Sequence, residues 1–108
     1  MDLTPQDSTG AFVQGDLLLN HRTLFAEIGH ARAKLTRVEF DLLLCLAKNA
    51  AKNISREEIR KFVWREKADR TRDRTVDVHV RALRKKLPEL SEKILSIYGS
   101  GYRFHSKS

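Results

Sequence analysis

The chain has 108 residues, a hydrophobic fraction of 41% and a net charge of +7, which suits a single α+β domain with one modest core. Its single cysteine, Cys45, excludes an intrachain disulfide, and no run approaches the 18 apolar residues of a membrane span, so we expect a cytoplasmic protein. Residues 1–54 carry six basic and six acidic side chains, so the whole charge excess lies in residues 55–108. This asymmetry favours one basic face.

The first 35 residues predict a tail and a small sheet. Residues 1–10 are polar and lack the order of a signal peptide, so we expect a short flexible tail. Short apolar runs separated by Gly, Asn and Asp follow in residues 11–35, and they predict an antiparallel meander. Such a short meander is marginal alone and must pack on other elements.

A capping signal opens the first predicted helix. Thr36 stands three residues before Glu39, as in a capping box, and Leu35 is placed for a hydrophobic staple against Phe40. The helix is predicted over residues 37–49. Its apolar face is wide and also includes Cys45, which we interpret as a small buried hydrophobe rather than a reactive thiol.

The same signal recurs at Ser55 and Glu58 and predicts a second helix over residues 56–65. Trp64 would close that helix at the edge of the core. Residues 65–73 are charged, show no hydrophobic period and predict an exposed loop without a core residue.

A basic amphipathic helix is predicted over about residues 72–87, with Asp73 as a plausible N-cap and Pro88 as its stop. Its core-facing stripe consists of Val76, Val80, Leu83 and Leu87. Its opposite stripe, here called the outer stripe, consists of Arg74, Val78, Arg81 and Lys85. No acidic residue lies between Val78 and Leu87, whereas a merely solvated face would mix charges. This pattern favours a nucleic acid partner, although membranes and acidic proteins also attract basic helices.

Two β-prone runs, residues 94–98 and 102–104, surround Gly99-Ser-Gly101 and predict a C-terminal hairpin.

The sequence gives no support for an enzyme, because the histidines are scattered, one cysteine gives no metal-ligand spacing and no phosphate-binding glycine loop occurs. We therefore predict no metal and no cofactor.

Six motifs in order now resemble one family. They are LTRVEFDLL at 35–43, SREEI at 55–59, VW at 63–64, RTVDVH at 74–79, LRKKL at 83–87 and GSGYRF at 99–104. Together they resemble the effector domain of OmpR/PhoB-type bacterial response regulators. That resemblance, over roughly residues 12–104, implies a winged helix-turn-helix: an N-terminal four-stranded antiparallel sheet, a three-helix core and a C-terminal hairpin wing.

The resemblance also implies partners. The third helix would enter the major groove of double-stranded DNA, and the wing, about residues 95–104, would reach the minor groove. Residues 65–73 would contact RNA polymerase, as in some members, and pairs of domains would bind direct repeats head to tail. Family members usually also have a phosphorylated receiver domain with an acidic pocket. No segment of these 108 residues matches that pocket.

Site residues divide by chemistry. Arg81 is the first candidate for a base contact, since arginine binds guanine bidentately, and Val78 can pack on a thymine methyl group unless the wing half-covers it. Phosphate contacts are predicted on the outer stripe and, by family match, on neighbouring elements: Arg74, Lys85, His79, Arg84, Arg56, Ser96 and Tyr102.

Two of these assignments have alternatives, and two positions depart from the family. His79 could instead bond to the loop before its helix, and Tyr102 could be a core residue of the wing. Tyr98 stands where many members have a minor-groove arginine, and Ala82 stands where some have a second arginine. The alternative function is a winged helix that docks an acidic protein through its basic face.

Overall fold

The computed structural model describes residues 10–105. The predicted tail therefore lies outside the described residues, apart from Gly10. The elements are β1 Ala11–Gln14, β2 Leu17–Asn20, β3 Phe25–Ile28, β4 Ala31–Lys34, α1 Arg37–Lys48, β5 Asn53–Ser55, α2 Arg56–Trp64, a first 3-10 helix Arg65–Arg70, α3 Asp73–Lys86, a second 3-10 helix Pro88–Glu92, β6 Ile94–Ile97 and β7 Gly101–Phe104.

The predicted meander is confirmed as a four-stranded antiparallel sheet in the order β1-β2-β3-β4. Leu19 pairs with Ala26, and both are fully buried because this face covers the helices. The next pair, Leu18 with Glu27, points to the other face, where Glu27 is exposed and pairs with Arg32. The alternation of side chains along each strand therefore gives the sheet one core face and one outer face.

Both capping boxes are confirmed. The Thr36 hydroxyl accepts from the Glu39 N–H, while the Glu39 carboxylate accepts from the Thr36 N–H. Ser55 and Glu58 make the same reciprocal pair at the start of α2. Each box satisfies backbone donors that a helix start leaves without partners, which is why these two boundaries could be predicted closely.

The core stripe of α3 is also confirmed, since Val76, Val80, Leu83 and Leu87 are all buried at 1% exposure or less. Cys45 joins the same core, and burial raises the pKa of its thiol to about 11. The thiol therefore stays protonated at neutral pH, as expected of a packing residue. No helix within residues 10–105 is long and apolar enough to cross a membrane.

Glu39 also anchors the far end of α3. Its buried carboxylate accepts from Lys86 Nζ at 2.6 Å. Burial would by itself raise the pKa of Glu39, but the hydrogen bonds from Lys86 and Thr36 bring it below its ordinary value. The ionised carboxylate is thus the form that the fold stabilises.

This pair predicts a pH-dependent stability. Because the folded pKa of Glu39 is lowered, its contribution is fully present above the unfolded pKa and is lost as the pH falls through the folded value. We expect Glu39→Gln to lower the melting temperature by on the order of 5 °C at about pH 7. The difference should shrink towards about pH 3, as measured by circular dichroism melts. An equal difference at both pH values would contradict the assignment.

The predicted hairpin is confirmed, but the sheet around it is larger than predicted. Strands β6 and β7 pair antiparallel, and β5 pairs with the other edge of β7, so the order is β5-β7-β6. The third strand, β5, lies between the first two predicted helices, where no strand was predicted. The wing is therefore tied to the connection between α1 and α2.

Two local predictions were wrong. Residues 65–73 do not form a loop without core contacts, because Arg65–Arg70 is a 3-10 helix whose Ala68 is only 7% exposed. The N-cap of α3 is Arg72, with no side-chain cap, while Asp73 is the first helical residue. Asp73 bonds instead to Arg60 of α2.

Candidate nucleic-acid interface

The outer stripe of α3 faces solvent along its length. Arg74, Arg81 and Lys85 are exposed. Val78 lies between them, and 55% of its surface is accessible, so the wing does not cover it. The unmixed positive charge distinguishes this surface from an ordinary solvated helix face, because no acidic residue lies between Val78 and Leu87.

Two ion pairs hold α3 against α2. Arg56 Nε donates to Asp77 Oδ1 at 2.8 Å, and Arg60 Nη1 donates to Asp73 Oδ1 at 2.8 Å. The arginines are four residues apart on α2 and the aspartates are four apart on α3, so each set lies on one helix face. The two pairs fix the orientation of α3 and keep Arg56 beside it.

Asp77 also reaches the wing. The Tyr102 hydroxyl of β7 donates to the same Oδ1 atom at 2.6 Å, and the Arg56 guanidinium lies 5.2 Å from the Tyr102 ring centre. Burial and this bond to Asp77 raise the pKa of Tyr102, while the bond to Asp77 raises the pKa of Arg56. One carboxylate thus joins α2, α3 and β7.

Arg84 makes a second connection between α3 and the wing. Its Nη2 donates to the Ile94 carbonyl at 2.6 Å and to Ser96 Oγ at 3.3 Å. Its guanidinium lies 5.9 Å from the ring of Tyr102. Tyr102 is therefore flanked by the two guanidinium groups of Arg56 and Arg84, in the manner of cation–π contacts.

His79 is half-buried beside the outer stripe. Its Nδ1 donates to the Thr75 carbonyl at 2.8 Å, and its ring meets Trp64 edge-on at 5.8 Å. The predicted alternative, a bond to the loop before the helix, is wrong because Thr75 already belongs to α3. Trp64 is partly buried against the core, as predicted.

The wing ends in a short exposed turn. Tyr98 is fully exposed at 103%, and Gly99 follows it with a positive φ of 69°. The Ser100 N–H donates to the Ile97 carbonyl at 2.9 Å and closes the turn. The ring of Tyr98 thus stands free at the tip of the hairpin.

The structure places the predicted site residues in two groups. The solvent-facing group consists of Arg74, Val78, Arg81, Lys85, Ser96 and Tyr98. The half-buried group consists of Arg56, His79 and Arg84, which bond within the protein. Tyr102 is only 5% exposed and its hydroxyl bonds to Asp77, so it packs in the core of the wing as the alternative proposed, and its phosphate contact stays a prediction.

The sequence interpretation missed Asp77 and Arg60. A signal was available, since the acidic pair at 73 and 77 and the basic pair at 56 and 60 share the spacing of four that puts each pair on one helix face. Only the relative placement of the two helices could show that the pairs meet.

The three-helix core, the preceding four-stranded sheet and the hairpin beside α3 define a winged helix-turn-helix domain. The profile of the family described as "Transcriptional regulatory protein, C terminal" matches residues 29–104. The chain therefore belongs to this family of C-terminal domains, which includes the OmpR/PhoB type.

Similar sequences and similar solved structures also come from response regulators and DNA-binding domains. The heme response regulator HssR of Staphylococcus epidermidis is 36% identical over 91 residues, covering 82% of this chain and 40% of HssR. The response regulator DrrB of Thermotoga maritima, an OmpR/PhoB homolog, superposes with a TM-score of 0.72 at 31% identity, covering 90% of this chain and 45% of that one. The RstA DNA-binding domain of Klebsiella pneumoniae, solved with the RstA box, has a TM-score of 0.72 at 26% identity and covers 88% of this chain and 96% of that one. The chain thus spans less than half the length of HssR and of DrrB.

Proposed function

We propose that this domain binds double-stranded DNA in a sequence-specific manner, as the effector part of a cytoplasmic bacterial response regulator. Helix α3 enters the major groove, and the wing lies at the adjacent minor groove. The observation that carries this proposal is the outer stripe, in which Arg74, Arg81 and Lys85 surround the exposed Val78. The DNA-binding domain of RstA, which shares this fold, was solved in complex with the RstA box.

The stripe separates two kinds of contact. Arg74 and Lys85, near the two ends of α3, fit phosphates, which supply most of the affinity. Arg81 and Val78, at the middle of the helix, fit base edges: a guanine for the arginine and a thymine methyl group for the valine. The wing tip would place Tyr98 at the minor groove, where many members of the family have arginine.

The alternative function is docking of an acidic protein. It would account for the positive charge of the outer stripe but not for the exposed valine at its centre. Rigid duplex DNA presents phosphates beside methyl groups within one groove, which matches cations that surround a valine. Selection of bound sequences from a random DNA pool distinguishes the two functions. DNA binding predicts enrichment of a defined sequence, whereas protein docking predicts none.

We expect the affinity for duplex DNA to fall steeply with salt, because the charge excess lies in residues 55–108. About 5–8 phosphate contacts per domain give a slope of about −4 to −7 for log K against log salt. Mobility-shift titrations on random duplex over a range of salt concentrations measure this slope. Retained binding with a slope near zero would exclude the proposed interface.

We propose that the segment 65–73 contacts RNA polymerase, because it is charged, largely exposed and adjacent to the end of α3 that begins at Asp73. Charge reversal at Glu66 or Asp69, which are both exposed, is expected to leave folding and DNA affinity nearly unchanged while it reduces activation. Transcription in vitro and mobility shifts on the same variants measure the two effects separately. A parallel loss of both would contradict this division.

We also propose that two domains bind direct-repeat DNA head to tail. The test compares a duplex that carries one copy of the selected sequence with one that carries two copies in tandem. Tighter binding of the second domain supports the arrangement, and independent binding of two domains contradicts it.

A further inference from the structure

Asp77 is an unexpected residue for the surface on which it lies. It occupies the position directly before Val78, on the flank of the outer stripe, and 42% of its side chain is accessible. A carboxylate there repels DNA phosphates, so by charge alone it would weaken the proposed binding. A compensating role is therefore needed to explain an acidic residue at this point of α3.

The contacts of Asp77 suggest that role. Its Oδ1 atom accepts from Arg56 Nε at 2.8 Å and from the Tyr102 hydroxyl at 2.6 Å. The first bond uses the Nε edge of the guanidinium and leaves the Nη edge for another acceptor, as a planar fork permits. The side chain of Arg56 is 28% accessible, so part of it remains open to a ligand.

We infer that Asp77 is a positioning residue for DNA binding: it holds the Arg56 guanidinium in place so that its Nη edge contacts a backbone phosphate. The inference rests on the proposed DNA-binding function and adds a role to a residue that touches no base or phosphate itself. The bond to Tyr102 fixes the carboxylate from the opposite side, since Tyr102 is buried in the wing. Asp77 thus acts through Arg56, which avoids the entropic cost of ordering a free arginine on DNA.

This role predicts an effect opposite to that of simple electrostatics. Removal of a negative charge beside DNA should raise affinity, but Asp77→Asn should lower the affinity for random duplex about tenfold, because Arg56 loses its charged acceptor. The salt slope should also become shallower by about one, the equivalent of one lost phosphate contact. A merely structural role would reduce the active fraction without changing that slope.

The matched control is Glu27→Gln, which removes the same charge from the outer face of the N-terminal sheet, where Glu27 pairs with Arg32. We expect Glu27→Gln to bind as tightly as the wild-type domain or slightly more tightly. Melting curves of every variant report folding independently of DNA.

A double-mutant cycle isolates the pair. In an Arg56→Gln background, Asp77→Asn should cause no further loss of affinity. Arg56→Lys, which leaves Asp77 intact and keeps the positive charge, should still lose most of the affinity that Arg56→Gln loses, because an ammonium cannot hold the carboxylate and a phosphate in one planar fork. This second variant tests the inference even if Asp77→Asn fails to fold.

Three outcomes would overturn the inference: an Asp77→Asn domain that binds as tightly as wild type or more tightly, the same loss from Asp77→Asn with and without Arg56, or an Arg56→Lys domain with wild-type affinity. Failure of the DNA-binding function itself would look different. In that case the wild-type domain would show no salt-dependent binding to any duplex.

Discussion

Replacement of Gly101 by alanine is expected to lower the free energy of unfolding by roughly 3 kcal/mol or more. Gly101 has a φ of 150°, and a Cβ atom added there would lie 2.1 Å from the Ile54 carbonyl oxygen and 2.9 Å from the Ser55 Cα. Both obstacles are backbone atoms of β5, which pairs with β7 at this point. The clash can be relieved only if the two strands separate.

The neighbouring glycine is the control. Gly99 also has a positive φ, 69°, but no atom lies within 4 Å of its added Cβ. Gly99→Ala should therefore cost about 1 kcal/mol, from backbone strain alone. Urea unfolding followed by circular dichroism compares the variants, and equal losses would show that the contact with β5 is not what requires glycine at 101.

The largest effect on DNA binding is expected at Arg81. If the outer stripe recognises bases, Arg81→Ala should cost about 1–3 kcal/mol on the sequence selected from a random pool. Its cost on random duplex should be smaller, so the specificity ratio falls. Mobility-shift titrations on both duplexes measure this difference. An equal loss of affinity for both would show that Arg81 contacts a phosphate rather than a base.

Other positions of the stripe serve as comparisons for Arg81. Arg74→Ala and Lys85→Ala should lower the affinity for both duplexes by similar factors. Each should also make the salt slope shallower by about one. Val78→Ala should lose less affinity for the selected sequence than Arg81→Ala does. That loss should vanish when the matched thymine is replaced by uracil, which lacks the methyl group. Val80→Ala instead truncates the core and should cost roughly 1–3 kcal/mol of stability.

The parts of the fold that depend on local chemistry could be predicted from the sequence. The capping boxes at Thr36 and Ser55 involve residues three apart, and the two stripes of α3 follow from its helical period alone. The placement of Val78 on the outer face followed from that same geometry, whereas only the structure shows that the wing leaves it exposed.

The parts that were missed depend on tertiary contacts. Strand β5 has only three residues and exists because β7 pairs with it, about fifty positions later in the chain. The 3-10 helix at 65–70 buries only the small side chain of Ala68, which leaves no hydrophobic period to detect. The hydroxyl of Tyr102 could be placed on Asp77 only after the wing and α3 had been positioned.

The free turn at the end of the wing leaves room for evolutionary change. Strand β7 is held on both edges, by β5 and β6, whereas Tyr98 has its whole side chain in solvent and Gly99 has open space around it. Substitution at the tip therefore does not require compensating changes in the core. If the wing lies at the minor groove as proposed, exchange of Tyr98 would change the contact made there without changing the packing of α3.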